Sequence, residues 1–84
     1  MYRIEMRSKA LKNLETLSPD IQKRILQKLE FYASSSSPLV FAHPLKNSSG
    51  LYRFRVGDWR IIFVHKEEVL VIYAIGHRSE IYKK

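Results

Sequence analysis

The chain has 84 residues, 45% hydrophobic and 27% charged, which bounds it to one ordinary globular domain over residues 1–84 and sets disorder aside. It contains no cysteine, so disulfides, thiol catalysis and cysteine-based zinc sites are excluded. The formal net charge of +7 points to a polyanionic partner. Seven Lys/Arg face four acidic residues in 1–45, and eight face four in 46–84, so only the fold can gather this charge into a patch. No run approaches the ~18 apolar residues of a membrane span. Met1-Tyr2-Arg3-Ile4-Glu5 lacks the apolar run of a signal peptide, and a soluble cytoplasmic protein with no membrane partner is expected.

Residues 2–6 alternate as a short opening strand. Ser8 is placed to cap a helix over 9–17, with Ala10, Leu11, Leu14 and Leu17 as its apolar stripe. Ser18-Pro19-Asp20 then supplies a cap, a proline at the first helical position and an acid in the first turn. The helix it starts should run to Ala33, with Ile21, Ile25, Leu29 and Tyr32 on one face. Serines 34–37 and Pro38 end it, and the segment to Gly50 reads as a loop whose Leu39, Val40 and Phe41 tuck against the core. From Leu51 the texture turns to β: runs 51–56, 59–65 and 69–75 predict an antiparallel meander. The fold class is therefore α+β, in the order β-α-α-β-β-β, with the helical hairpin packed on one face of the meander.

If Gly57-Asp58 is a two-residue loop, Val56 faces Trp59, Arg55 faces Arg60 and Phe54 faces Ile61. Strand alternation then gathers Arg53, Arg55 and Arg60 on one face, and Tyr52, Phe54, Val56, Trp59, Ile61 and Phe63 on the other. The aromatic face wants the helices. Like charges directly opposite in a sheet cost a few tenths to ~1 kcal/mol, so Arg55 opposite Arg60 makes sense if the guanidiniums hold phosphates. The bland reading is an exposed face kept soluble by arginines. The following hairpin leaves two registers open. A two-residue loop at Glu67-Glu68 continues the arginine face through Val71, Tyr73 and Ile75 towards His77. A three-residue loop continues it through Ile72 and Ala74 towards Arg78.

The C-terminal segment adds His77, Arg78 and Tyr82, residue types suited to RNA cleavage through the ribose 2′-hydroxyl. His43 lies in a proline-flanked loop and His65 at a strand end on the aromatic face. No His or carboxylate pair has metal-ligand spacing, and there is no glycine-rich phosphate loop or serine-nucleophile motif, so neither metal nor cofactor is implied. Asp58, Glu67 and Glu68 read as turn residues, and Trp59 as a core anchor.

The run Tyr52-Arg53-Phe54-Arg55-Val56-Gly57-Asp58-Trp59-Arg60, followed by Gly76-His77-Arg78 and Tyr82, resembles RelE-type toxins of the RelE/ParE superfamily. Their pattern reads roughly Tyr-Arg-x-Arg-x-Gly-Asp-Tyr/Trp-Arg, then Gly-His-Arg and a terminal tyrosine. The order of elements matches as well, so the resemblance covers nearly the whole chain. It implies a type II toxin–antitoxin toxin: a metal-independent endoribonuclease that cuts mRNA in the ribosomal A site by 2′-hydroxyl attack and so inhibits translation. Carried over, Arg53 and Arg55 match the paired basic positions, Arg60 the arginine of the next strand, Arg78 the late arginine and Tyr82 the tyrosine near the end. The best-known member has lysines at the positions of Arg53 and Arg55. Arginine, with a pKa above ~12, is a poor proton acceptor, which raises the claim of His77 as the base. Lys46, Lys83 and Lys84 join Arg53 and Arg55 as RNA-contact candidates. The implied partners are the ribosome with its mRNA, a cognate antitoxin laid over the basic face, and operator DNA reached through the antitoxin. Two alternatives remain: a ParE-like DNA gyrase inhibitor without nuclease activity, and a degenerate member that only binds.

Overall fold

The computed structural model describes residues 1–46 and 48–82. In chain order it forms β1 (Arg3–Met6), α1 (Ser8–Glu15), α2 (Pro19–Ser34), a 3-10 turn (Pro38–Phe41), β2 (Ala42–Pro44), β3 (Leu51–Val56), β4 (Trp59–Lys66) and β5 (Val69–His77). The strands make one five-stranded sheet ordered β1-β5-β4-β3-β2. β1 runs parallel to β5 and every other pairing is antiparallel, so the expected α+β class and meander stand within a mixed sheet. Among the described residues no helix is long and apolar enough to cross a membrane.

Arg7, not Ser8, occupies the cap position of α1, without a side-chain hydrogen bond; Ser8 is the first helical residue. The stripe of this short helix is Ala10, Leu14 and Leu17, at i, i+4 and i+7, whereas Leu11 lies a rotation of about 100° away from Ala10 and is exposed. α2 starts as expected: Ser18 Oγ accepts from Ile21 N at 3.4 Å and Pro19 opens the first turn. Ile25, Leu29 and Tyr32 are buried and Ile21 packs beside them.

The segment between α2 and β3 is more ordered than its composition suggests. Ala42, His43 and Pro44 pair with Phe54, Arg53 and Tyr52, adding an edge strand. A strand of three residues carries no readable alternation, and proline is tolerated there because an edge strand can leave a backbone N–H unpaired. Of the three apolar residues before it, only Leu39 packs on the core; Val40 is exposed, and Phe41 lies at the surface against Phe31 and Tyr32.

The first hairpin has the register expected: Val56↔Trp59, Arg55↔Arg60 and Phe54↔Ile61. Gly57 opens its loop at φ +61, in the left-handed region that favours glycine, and a Cβ there would also meet the Arg24 guanidinium at 3.0 Å. Tyr32, Phe54 and Phe63 stack in series, with centroids 4.3 and 4.2 Å apart, and fasten α2 to the sheet. Each such fully buried apolar side chain contributes about 1.5–3 kcal/mol.

The second hairpin resolves the open register in an unanticipated way. Its loop is Glu67-Glu68, since Lys66 pairs with Val69, but a β-bulge follows: Phe63 pairs with Ile72 and Ile62 with Ala74, leaving Tyr73 as the extra residue. The bulge resets the alternation. Val71 continues the arginine face as a two-residue loop requires, yet beyond Tyr73 that face passes to Ala74 and Gly76, opposite Ile62 and Arg60. His77 instead pairs with Trp59 and meets that ring edge-on at 5.4 Å. Past the end of β1, the backbone N–H of Ile75 donates to Asn13 Oδ1 at 3.0 Å, so α1 closes an otherwise open edge.

Candidate functional site

On the side of the sheet away from the helices, Arg53, Arg55, Arg60, Arg78, Ser79 and Tyr82 line a cavity of about 430 Å³. Three of the arginines come from the β3–β4 hairpin by strand parity. Arg78 and Tyr82 come from the terminal turn that follows β5. Among the described residues no carboxylate lines this cavity, so four guanidiniums converge on a space suited to an anion.

The arginines are not equivalent. Arg60 is 9% exposed, and its Nη1 donates to the carbonyls of Gly57 at 2.9 Å and Trp59 at 3.0 Å. It forms a fixed floor. Arg55, directly opposite, is exposed. Arg53 donates from Nη1 to Tyr82 Oη at 3.4 Å, while its Nε is buried with no hydrogen-bond partner among the described residues. A buried donor without an acceptor costs about 1–3 kcal/mol, a cost that an anion's oxygen would remove. Arg78 is held from outside the pocket: its backbone N donates to Asp58 O at 2.8 Å, and its Nε lies 3.5 Å from Asp58 Oδ1. That ion pair is largely exposed and contributes little to stability, so its effect is mainly orientation.

The terminal turn is seated by a glycine. The N–H groups of Glu80 and Ile81 both donate to His77 O at 2.9 Å, and the Ile81 side chain lies on Gly76, where a Cβ would approach Ile81 Cδ1 to 2.8 Å. This close approach lets the Ile81 side chain lie flat on the strand and carries Tyr82 over the arginines.

Arg53, Arg55, Arg60, Arg78 and Tyr82 are thus brought together. His77 is not: it lines a separate cavity of about 360 Å³ with Asn13, Trp59 and Glu80. Its Nδ1 accepts from Ser79 N at 3.2 Å and lies 2.8 Å from Ser79 Oγ. Lys46 is exposed in the turn after β2, outside the residues lining the pocket, and Lys83 and Lys84 lie outside the described residues. His65, at the far end of β4, sits 3.3 Å from Tyr2 Oη. Asp58 and Ser79 were not singled out from the sequence as site residues. Asp58 looked like turn chemistry alone, and its contact with Arg78 could not be read without knowing where the last strand ends. Among the described residues no cluster of His, Cys, Asp or Glu could hold a metal ion.

A sheet of this order with a cationic pocket at its C-terminal end defines a small toxin fold. The family model described as the ParE toxin of the type II toxin–antitoxin system parDE matches residues 4–82, and the chain belongs to the RelE/ParE superfamily of toxins. Within it the chain is RelE-like. It is 27% identical over 86 aligned positions to a Methanocaldococcus jannaschii protein named as toxin RelE1, covering 98% of this chain and 96% of that one. Its fold is similar to the toxin–antitoxin complex RelBE2 of Mycobacterium tuberculosis, at a TM-score of 0.77 and 25% identity over 92% of this chain and 98% of that one. It is also similar to the archaeal RelE–RelB complex of Pyrococcus horikoshii, at 0.72 and 26% over 94% and 97%. The protein is therefore a toxin of a type II toxin–antitoxin system, of the RelE family.

Proposed function

We propose that this toxin is an endoribonuclease that cleaves mRNA in the ribosomal A site, with the four-arginine pocket holding the scissile phosphate. The observation that carries this reading is the convergence of Arg53, Arg55, Arg60 and Arg78 with Tyr82 in a cavity that no carboxylate lines among the described residues. In the reaction the ribose 2′-oxygen attacks the adjacent phosphorus and the P–O5′ bond breaks, leaving a 2′,3′-cyclic phosphate and a 5′-hydroxyl. One proton leaves the 2′-hydroxyl and one reaches the departing 5′-oxygen. The guanidiniums stabilise the added negative charge of the phosphorane. Tyr82, bonded to Arg53 and lining the pocket, is the proton-transfer group that this reading selects; His77, on the opposite side of β5, is remote from it. All of the chemistry is assigned to side chains and the ribose, without a metal.

The partner that restrains the toxin is a cognate antitoxin, as in the RelB-containing complexes that this fold resembles, and operator DNA is reached through it. An acidic antitoxin segment suits a chain of net charge +7. The gyrase-inhibitor alternative is not favoured, because the relatives reported above carry RelE names. Primer extension on a translated message after induction tests the proposal. New 5′ ends within codons are expected; intact message accompanied by a supercoiling defect would overturn it.

A further inference from the structure

Beside the arginine pocket the open sheet face carries a second concavity, a groove of about 610 Å³. Its floor is apolar, made by Leu51, Ile62 and Ala74, and Arg7, Tyr73 and Tyr82 stand around it. Tyr82 lines both this groove and the arginine pocket, so the two form one continuous surface. Ile62 stands two residues along β4 from Arg60, about 7 Å at the rise of an extended strand. The groove therefore begins one short step from the pocket's floor.

Tyr73 is the extra residue of the β5 bulge. In a regular strand only one of Tyr73 and Ala74 could face this side, but the bulge turns both into the groove. A large aromatic ring is thereby presented 37% exposed on a sheet face, by the same irregularity that turns Ile75 into the core after Leu70 and Ile72. The Arg7 guanidinium lies over the same ring, 5.4 Å from its centroid. Arg7 is itself anchored, since its backbone N donates to Ile72 O at 2.9 Å. A tyrosine, an overlying guanidinium and an apolar floor beside a cationic pocket form a stacking surface for a planar, weakly polar ring attached to a phosphate.

We infer that this groove is a nucleobase subsite, in which Tyr73 and Arg7 stack a base next to the phosphate held by Arg53, Arg55, Arg60 and Arg78. The inference rests on the RNA-cleavage reading and adds to it where the neighbouring base sits. The ligand is single-stranded RNA, since a base paired in a duplex has no free face to stack. Tyr73 binds and takes no part in bond breaking.

Binding of short single-stranded RNAs, made uncleavable by 2′-deoxy substitution and titrated into the whole toxin, tests this directly. Abasic residues are introduced one position at a time. Wild type is expected to bind the intact oligonucleotide at least about fivefold more tightly than the one lacking the base adjacent to the held phosphate. Tyr73→Ala should lose a similar factor on the intact RNA and lose nothing further on that abasic RNA, and Tyr73→Phe should bind as wild type. Equal affinity for intact and abasic RNAs by the wild-type protein would overturn the subsite, and this arm needs no variant to fold. So would a Tyr73→Ala variant that binds RNA normally yet binds a protein partner poorly, which would assign the groove to that partner. Failure of the underlying reading looks different: no oligonucleotide would bind, and Arg53→Ala would change nothing.

Discussion

Arg53 and Tyr82 are joined by a hydrogen bond of 3.4 Å from Nη1 to Oη, across 29 positions of sequence. The bond links the central hairpin to the terminal turn and places the phenol among the guanidiniums. Replacing Tyr82 by Phe removes the transferable proton and leaves the ring. Cleavage is expected to fall by about 10²-fold or more, the usual contribution of a positioned proton-transfer group. RNA binding and thermal stability should stay near wild type. Single-turnover cleavage alongside a binding titration measures both.

Arg55 and Arg60 face one another in the ladder, and they should respond oppositely to truncation. Arg55 is exposed, so Arg55→Thr removes a like-charge pair and should stabilise the fold by a few tenths to about 1 kcal/mol while weakening RNA binding. Arg60→Ala strips the Gly57 and Trp59 carbonyls of their donor and should cost about 1–3 kcal/mol. Denaturant midpoints of the two variants decide the matter.

Gly76→Ala places a methyl 2.8 Å from Ile81 Cδ1. The end of the Ile81 side chain must swing away, which loosens the seat of the turn that carries Arg78 and Tyr82. Cleavage should drop severalfold while the melting temperature shifts little, because the core does not include this turn. Ile81→Ala frees the same turn from its anchor, so the double variant should be no worse than either single one. Kinetics of the three variants provide the test.

Burial raises the Tyr32 phenol above its ordinary value of 10.0. A group whose folded value is raised holds its proton more firmly in the native state. The stability this gives is complete below pH 10.0 and is lost as the pH climbs through the higher folded value. Tyr32→Phe should therefore lose less stability than wild type above pH 10.0. Near neutrality it should cost less than about 1 kcal/mol, since the bond to Arg55 O is long at 3.4 Å. Denaturant midpoints of both proteins from neutral to strongly alkaline pH check the sign.

The hairpin that supplies three of the four arginines was legible because a two-residue loop and strict alternation leave no freedom over so short a distance. The same logic sorted Phe54 and Ile61 to the helices. It stopped at the second hairpin because a bulge has no compositional signature here: Tyr73 between Ile72 and Ala74 fits a regular strand equally well. β2 was missed because three residues ending in proline show no alternation. The pairing of Arg78 with Asp58 depended on the bulge and on where β5 ends. Local chemistry was readable, and the accumulated phase of a long strand was not.

One unpaired residue in β5 adds a side chain to the open sheet face near the arginines. Removing a single codon at position 73 would straighten the strand and leave the pairings on either side of it unchanged, with Ala74 and Gly76 still on the arginine face. What the deletion would remove is the aromatic ring beside the pocket, while every arginine keeps its place. In this scaffold an inserted residue absorbed as a bulge can add a side chain to the open face without disturbing the cationic site.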